Sequence, residues 1–125
     1  MITYAEVLDL VLPTLPDPPE LDDAGELPYL DASTLAVHVV DLVRAGRSDV
    51  LGPFFAAVER LHLEGDGDVT TLATIGYLES LQNYAGHAGL DTSVFLPLLG
   101  PESARWWRGL DAFWAGEAPA VLPVD

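Results

Sequence analysis

Three histidines, one strip of acid and amide side chains and a few serines are the residues here whose types could do chemistry. His38, His62 and His87 ordinarily titrate near neutral pH, which suits acid–base work or metal binding. No two of them have the i, i+4 spacing with which one helix presents a metal site such as H-E-x-x-H. Glu59 and His62 are three apart and could share a ligand, although the commoner meaning of that spacing is a surface histidine beside an acid. His87 falls in a flexible Gly86-His87-Ala88-Gly89 stretch, and it aligns with Asn83 only if a helix continues through Gly86. Glu79, Gln82 and Asn83 form a polar strip on an otherwise apolar segment, where a carboxylate must find a hydrogen-bond partner. The structural reading pairs Glu79 with Arg60, Arg105 or a loop backbone. The chemical readings make it a general base, or with Asn83 and His87 the centre of a small ligand site. Ser80, Ser93 and Ser103 stand in no G-x-S-x-G setting, so no partnered nucleophile is evident. Asp66 and Asp68, within Gly65-Asp66-Gly67-Asp68, lack the remaining ligands and terminal Glu of a calcium loop and read as helix caps. There is no cysteine, hence no thiolate chemistry and no disulfide. The expectation is a protein without catalytic residues, metal or cofactor, and not an enzyme.

The elements that must position these residues are helical. Tyr4, Val7, Leu8 and Val11 lie at i, i+3, i+4, i+7, one face of a short helix that Pro13 stops. Residues 13–30 carry Pro13, Pro16, Pro18, Pro19 and Pro28, which remove amide donors, so a long acidic loop is expected. Leu15, Leu21, Leu27, Tyr29 and Leu30 are enough apolar side chains for that loop to lie ordered on a core. A second helix is expected from an Asp31 or Ser33 cap to Gly46, and a third from Ser48 or Asp49 through Leu61. With about two residues between them, the two should form an antiparallel hairpin. A fourth helix, Val69 to about Ala85, is apolar nearly all round and therefore central, and small Gly76 on it would admit another backbone closely. Val94 to Leu99 form a short apolar segment. A last helix from about Glu102 to Ala115 should turn Trp106, Leu110, Phe113 and Trp114 inward and leave Trp107 outward as an interface anchor. Residues 116–125 read as an irregular tail. Without period-two alternation, the fold class is all-α: one domain, 1–125, of about five helices in antiparallel hairpins.

The charge is lopsided. Twenty Asp and Glu face five Arg, for a formal net charge of −15, and the chain has no lysine. Glu6, Asp9, Asp17, Glu20, Asp22, Asp23, Glu26 and Asp31 all precede the first base, Arg44. Such a surface repels nucleic acid and anionic membranes and attracts basic partners. Half the residues are apolar, which favours a folded globule over disorder. No basic leader and no apolar run of about 18 residues is present, so a cytoplasmic protein is expected.

Several blocks in order carry a family likeness: Phe54-Phe55-x-x-Val58-Glu59, Glu64-Gly65-Asp66 before Val69, Gly76-x-Leu78-Glu79-x-Leu81-Gln82-Asn83, and Leu99-Gly100-Pro101-x-Ser103-x-x-Trp106-Trp107. In these the chain resembles an uncharacterised family of small bacterial helical proteins, a domain of unknown function. Its helix, Gly-Asp turn and second helix are also similar to the hairpin of HEAT-type repeats. The resemblance implies a binding role of the immunity-protein kind, and nothing for the proline-rich segment outside the blocks.

The leading expectation is an immunity protein that neutralises a basic toxin, such as a nuclease, by covering the site that holds phosphates. The expected contacts are Asp17, Glu20, Asp22, Asp23 and Glu26, with Asp66, Asp68 or Trp107 as a second patch. The alternative is a helical interaction or regulatory module for a peptide or a second copy, using Trp107 and the Gly76/Glu79 surface. Oligomeric state is not legible in the sequence.

Overall fold

Helix-forming stretches punctuated by proline and glycine fold into one compact all-helical domain without strands, as the periodicity implies, with six helices rather than about five. The computed structural model describes residues 1–125. The helices are α1 (Tyr4–Val11), α2 (Pro28–Arg44), α3 (Gly52–Glu64), α4 (Gly67–Thr71), α5 (Glu79–His87) and α6 (Pro101–Trp114). A π-helical stretch, Leu72–Leu78, joins α4 to α5, so residues 67–87 form one long helix with a widened middle. Its wide bonding shows where the Glu79 amide donates to the Thr74 carbonyl, five residues back. None of the helices is long and apolar enough to cross a membrane.

This long helix is central, as its all-round apolarity implies. Leu72, Ala73, Tyr77, Leu78, Leu81 and Ala85 are buried, and α2, α3 and α6 all pack on the π stretch. Gly76 is what brings α2 so near. A Cβ there would meet Leu72, Ala32 and Tyr29 at 2.7, 3.3 and 3.4 Å. The expected α2–α3 hairpin is corrected: α2 packs on the π stretch and α5, while α3 packs on α6, α1 and α4. The link between α2 and α3 spans 45–51 with its own 3-10 turn at Ser48–Val50, long enough to swing α3 away.

The proline-rich segment is shorter than expected, because Pro28 does not belong to it. Proline suits the first turn of a helix, where its missing amide would be unpaired, and α2 begins there rather than at Asp31 or Ser33. The segment is ordered onto the core by Leu15, which is buried, by Leu21, which packs against it, and by His38, whose Nε2–H donates to the Pro16 carbonyl at 2.9 Å. Leu27, Tyr29 and Leu30 stay exposed.

The phase of α6 also differs from expectation. Ser103, Trp107 and Leu110, at i, i+4, i+7, face the core, with Trp107 against Phe95 at 5.7 Å between ring centroids. Trp107 is 1 % exposed and is no surface anchor, whereas Trp114 is 62 % exposed. The tail is irregular but docked. The Val124 amide donates to the Arg105 carbonyl at 2.9 Å, and Gly109 lies so close to the Leu122 carbonyl that a Cβ would collide with it.

Candidate functional site

Two polar centres hang from the π stretch, one reached through Thr74 and the other through Tyr77. At the first, His62 of α3 is buried, not on the surface, and stacks on Trp106 at 6.3 Å with ring planes 10° apart. The Thr74 hydroxyl donates to the Thr70 carbonyl at 3.1 Å, so its oxygen accepts from His62 Nε2–H at 3.0 Å. Nδ1 is then the acceptor for the Ser103 hydroxyl at 2.8 Å, which assigns the Nε2–H tautomer. Burial drives the His62 pKa down to about 4, against the opposing pull of Glu59, Glu102 and the Val58 carbonyl. The ring is neutral at physiological pH.

Ser103 bonded to a neutral histidine has the atoms of a nucleophile and its base. It is fully buried, and the far side of the imidazole is held by a threonine rather than a carboxylate, so no substrate reaches Ser103 in this conformation. The pairing spans 41 residues, and no local spacing announces it. A signal for the burial of His62 did exist: it stands four residues after Val58 and seven after Phe55, on the stripe that faces the core.

Glu59 does not share a ligand with His62; it caps α6. Its carboxylate accepts the Glu102 and Ser103 amides at 3.0 and 2.8 Å, and a Cβ on Gly100 would collide with it. The first turn of α6 thus takes its cap from another helix, since its own N-cap residue, Gly100, has no side chain. Replacing Glu59 by Ala is expected to lower the unfolding free energy by about 1–2 kcal/mol, and by Gln less, because two amides at a positive helix end lose charged acceptors. Urea unfolding of both variants measures the difference. Equal stability of wild type and Glu59→Ala would show that solvent replaces the cap at no cost.

The Glu79 strip is dispersed. Glu79 pairs with neither Arg60 nor Arg105; its Oε2 accepts the indole N–H of Trp114 at 3.3 Å. Gln82 donates to Asp111 at 3.1 Å, and Asn83 is exposed. Because α5 runs through Gly86, Asn83 and His87 do share a face, and with Ser33, Val37, Ser80 and Tyr84 they line a shallow hollow without Glu79. No three His, Asp or Glu side chains converge as a metal site.

Of the expected partner contacts, Asp17, Glu20, Asp22, Asp23 and Glu26 are all exposed, and Asp17 and Asp23 sit at left-handed turns with φ of 45° and 50°. The positive charge is used elsewhere: Arg44 lies beside Asp41, Arg60 beside Glu64, and Arg105 beside Glu102 and Asp125. Asp66 is the N-cap of α4, accepting the Val69 amide at 2.9 Å, and Asp68 is exposed next to it.

The second centre lies under the acidic segment. Asp31, expected as an N-cap, is instead inside the first turn of α2 and is 3 % exposed. Its Oδ2 accepts the Gly25 amide at 2.9 Å, tying the segment to the helix. Tyr77 is buried beside it, and burial, then the Asp31 charge, push its phenol well above the usual tyrosine range. Tyr29 is pushed up to about 12 by partial burial and then by the neighbouring Tyr4 hydroxyl.

Residues 8–115 match a family model described as a domain of unknown function (DUF7674). No curated protein and no solved structure matches the chain.

Proposed function

The chain belongs to the DUF7674 family, a domain of unknown function, and on that premise we propose that it is a protein-binding module whose acidic segment docks a basic partner. The concrete form of the reading is a cytoplasmic immunity protein that neutralises a basic toxin, a nuclease being the case whose phosphate site the carboxylates would imitate. One observation carries it. Asp17, Glu20, Asp22, Asp23 and Glu26 are exposed together and none enters an ion pair, while every ion pair of the chain uses an acid outside this segment. A segment held by Leu15, His38 and Asp31 presents those charges with less ordering left to be done on binding, which favours affinity. The interaction-module alternative loses two of its surfaces, since Trp107 and Gly76 are covered, and keeps Trp114 beside Glu79.

The test is capture with the tagged protein at low and high salt, identification of what is retained, and assay of the retained protein's activity with and without this chain. The expected result is one basic toxin domain, lost as salt rises and inhibited in the mixture. Recovery of a neutral partner insensitive to salt, or only of further copies of the chain, would overturn the reading.

A further inference from the structure

Asp31 is a buried carboxylate to which the chain supplies one hydrogen-bond donor, the Gly25 amide on Oδ2. It belongs to no ion pair, and the chain has no lysine and no arginine before Arg44 to offer it one. The first turn of α2 favours a negative charge there, and a cation or further donors at the free oxygen would offset the rest of the cost of its burial. Beside it, Tyr77 is 1 % exposed and its hydroxyl makes no hydrogen bond to another residue; since no fully buried polar atom of the chain lacks a partner, that oxygen is one that solvent touches at the pocket. Both residues line one small pocket, with Tyr4, Leu8, Gly25 and Pro28 around them. Its inner space is about 10 Å³, room for one group the size of a water, and it opens to solvent on one side.

From this arrangement we propose that the Asp31–Tyr77 pocket receives a primary ammonium group, the side-chain head of a lysine on the basic partner. The proposal rests on the reading of the acidic segment as a docking surface and adds the partner's chemistry to it. An ammonium is the size of a water and carries three donors, enough for Asp31 Oδ1 and the Tyr77 oxygen together, whereas a planar guanidinium is too wide for the space. A divalent ion requires more oxygens than one carboxylate and one phenol provide. The aliphatic stem would leave past Pro28 and Leu8, and Tyr4, half out in solvent, offers a ring edge or face at the mouth. The carboxylates of the neighbouring segment raise the local concentration of any lysine-bearing surface, and the pocket then selects the ammonium.

The experiment is an NMR titration of the intact protein with N-acetyl-lysine N-methylamide, and separately with its trimethyl-lysine counterpart, following the Gly25 amide and the Tyr77 ring. The two compounds have equal charge, but the cationic head of the second has no N–H and is too large. The expected result is a saturable shift at Gly25 with the lysine compound, with a midpoint on the order of a millimolar, and none with the trimethyl compound. Asp31→Asn should weaken that midpoint at least tenfold. Tyr77→Phe, which keeps the ring in the core, should weaken it about threefold and serves if the Asp31 variant does not fold. Equal shifts with both compounds would reduce the effect to general attraction by the acidic surface, and no shift at tens of millimolar would leave the pocket holding water; either overturns the proposal. Salt-sensitive capture of a basic toxin unaffected by Tyr77→Phe would also overturn the pocket, while leaving the acidic segment as the docking surface.

Discussion

Between pH 7 and pH 4 the unfolding free energy is expected to fall by about 3 kcal/mol through His62 alone. The pKa of His62 is lowered by burial from the ordinary 6.5 to about 4 in the folded protein, so between those values the unfolded chain binds a proton that the native one refuses. Stability therefore rises with pH across this window, is fully recovered above about 6.5, and has nothing further to lose through this group below about 4. The cause is geometric. Protonating the ring would turn Nδ1 from an acceptor into a donor facing the Ser103 hydroxyl, and would place a charge against Trp106 with Ser103 closed to water. Glu59 and Glu102 favour the charged ring, but burial outweighs them.

Other groups also titrate in acid. Glu64, held low by its hydrogen bond with Arg60, and Asp91, held low by the backbone and hydroxyl of Ser93, lose their contributions as pH falls through the carboxylate range. Protonation of the surplus acids acts the other way by relieving self-repulsion. His62→Gln separates these terms, since an amide can donate to Thr74 and accept from Ser103 but does not titrate. Urea unfolding at half-unit intervals from pH 7 to 4 is expected to show wild type losing about 3 kcal/mol relative to His62→Gln. Parallel profiles would mean that the ring is solvated when charged, and that the network around it opens at low cost.

What could be read from the sequence divides along a physical line. Local periodicity and punctuation found α1, the central long helix, the Asp66 cap and the all-α class, because each depends on residues within one or two turns. The phase of α6 was missed because Ser103, Ala104 and Gly109 are small, so a count of large apolar side chains turns the helix toward Trp106 and Trp114 rather than Trp107. The π stretch has no spacing signature, and it rotates Thr74 and Tyr77 relative to a regular helix. The His62–Ser103 bond and the Glu59 cap on α6 join residues more than 40 positions apart. Yet the blocks that carry the family likeness meet at these contacts: Glu59 from one fills the place left by Gly100 in another and holds Ser103. Those blocks mark a packing junction. The exposed acids of residues 17–26 lie outside them, where composition alone was informative.

Reversing two charges of that segment is expected to slow association with the captured partner about tenfold or more at low salt, and to flatten the dependence of the association rate on ionic strength. Backbone geometry decides which two. Asp23 sits at φ 50°, a conformation that a lysine tolerates less well than an aspartate, and its carbonyl accepts the Glu26 amide at 2.9 Å. Asp22→Lys with Glu26→Lys avoids that strain. Both side chains are exposed and neither accepts a hydrogen bond from the rest of the chain, so the unfolding free energy should stay within about 0.5 kcal/mol of wild type. The charge moves by four units, from −15 to −11, and the change is concentrated on the segment proposed to meet the partner. Dissociation should change less than association if these carboxylates steer, and more if they are buried against the partner as phosphate mimics, because removing one member of a desolvated pair strands the other. Association and dissociation rates measured by stopped flow at several salt concentrations distinguish the two. An association rate equal to wild type throughout would remove the segment from the mechanism and leave Trp114 with Glu79 as the surface to examine next.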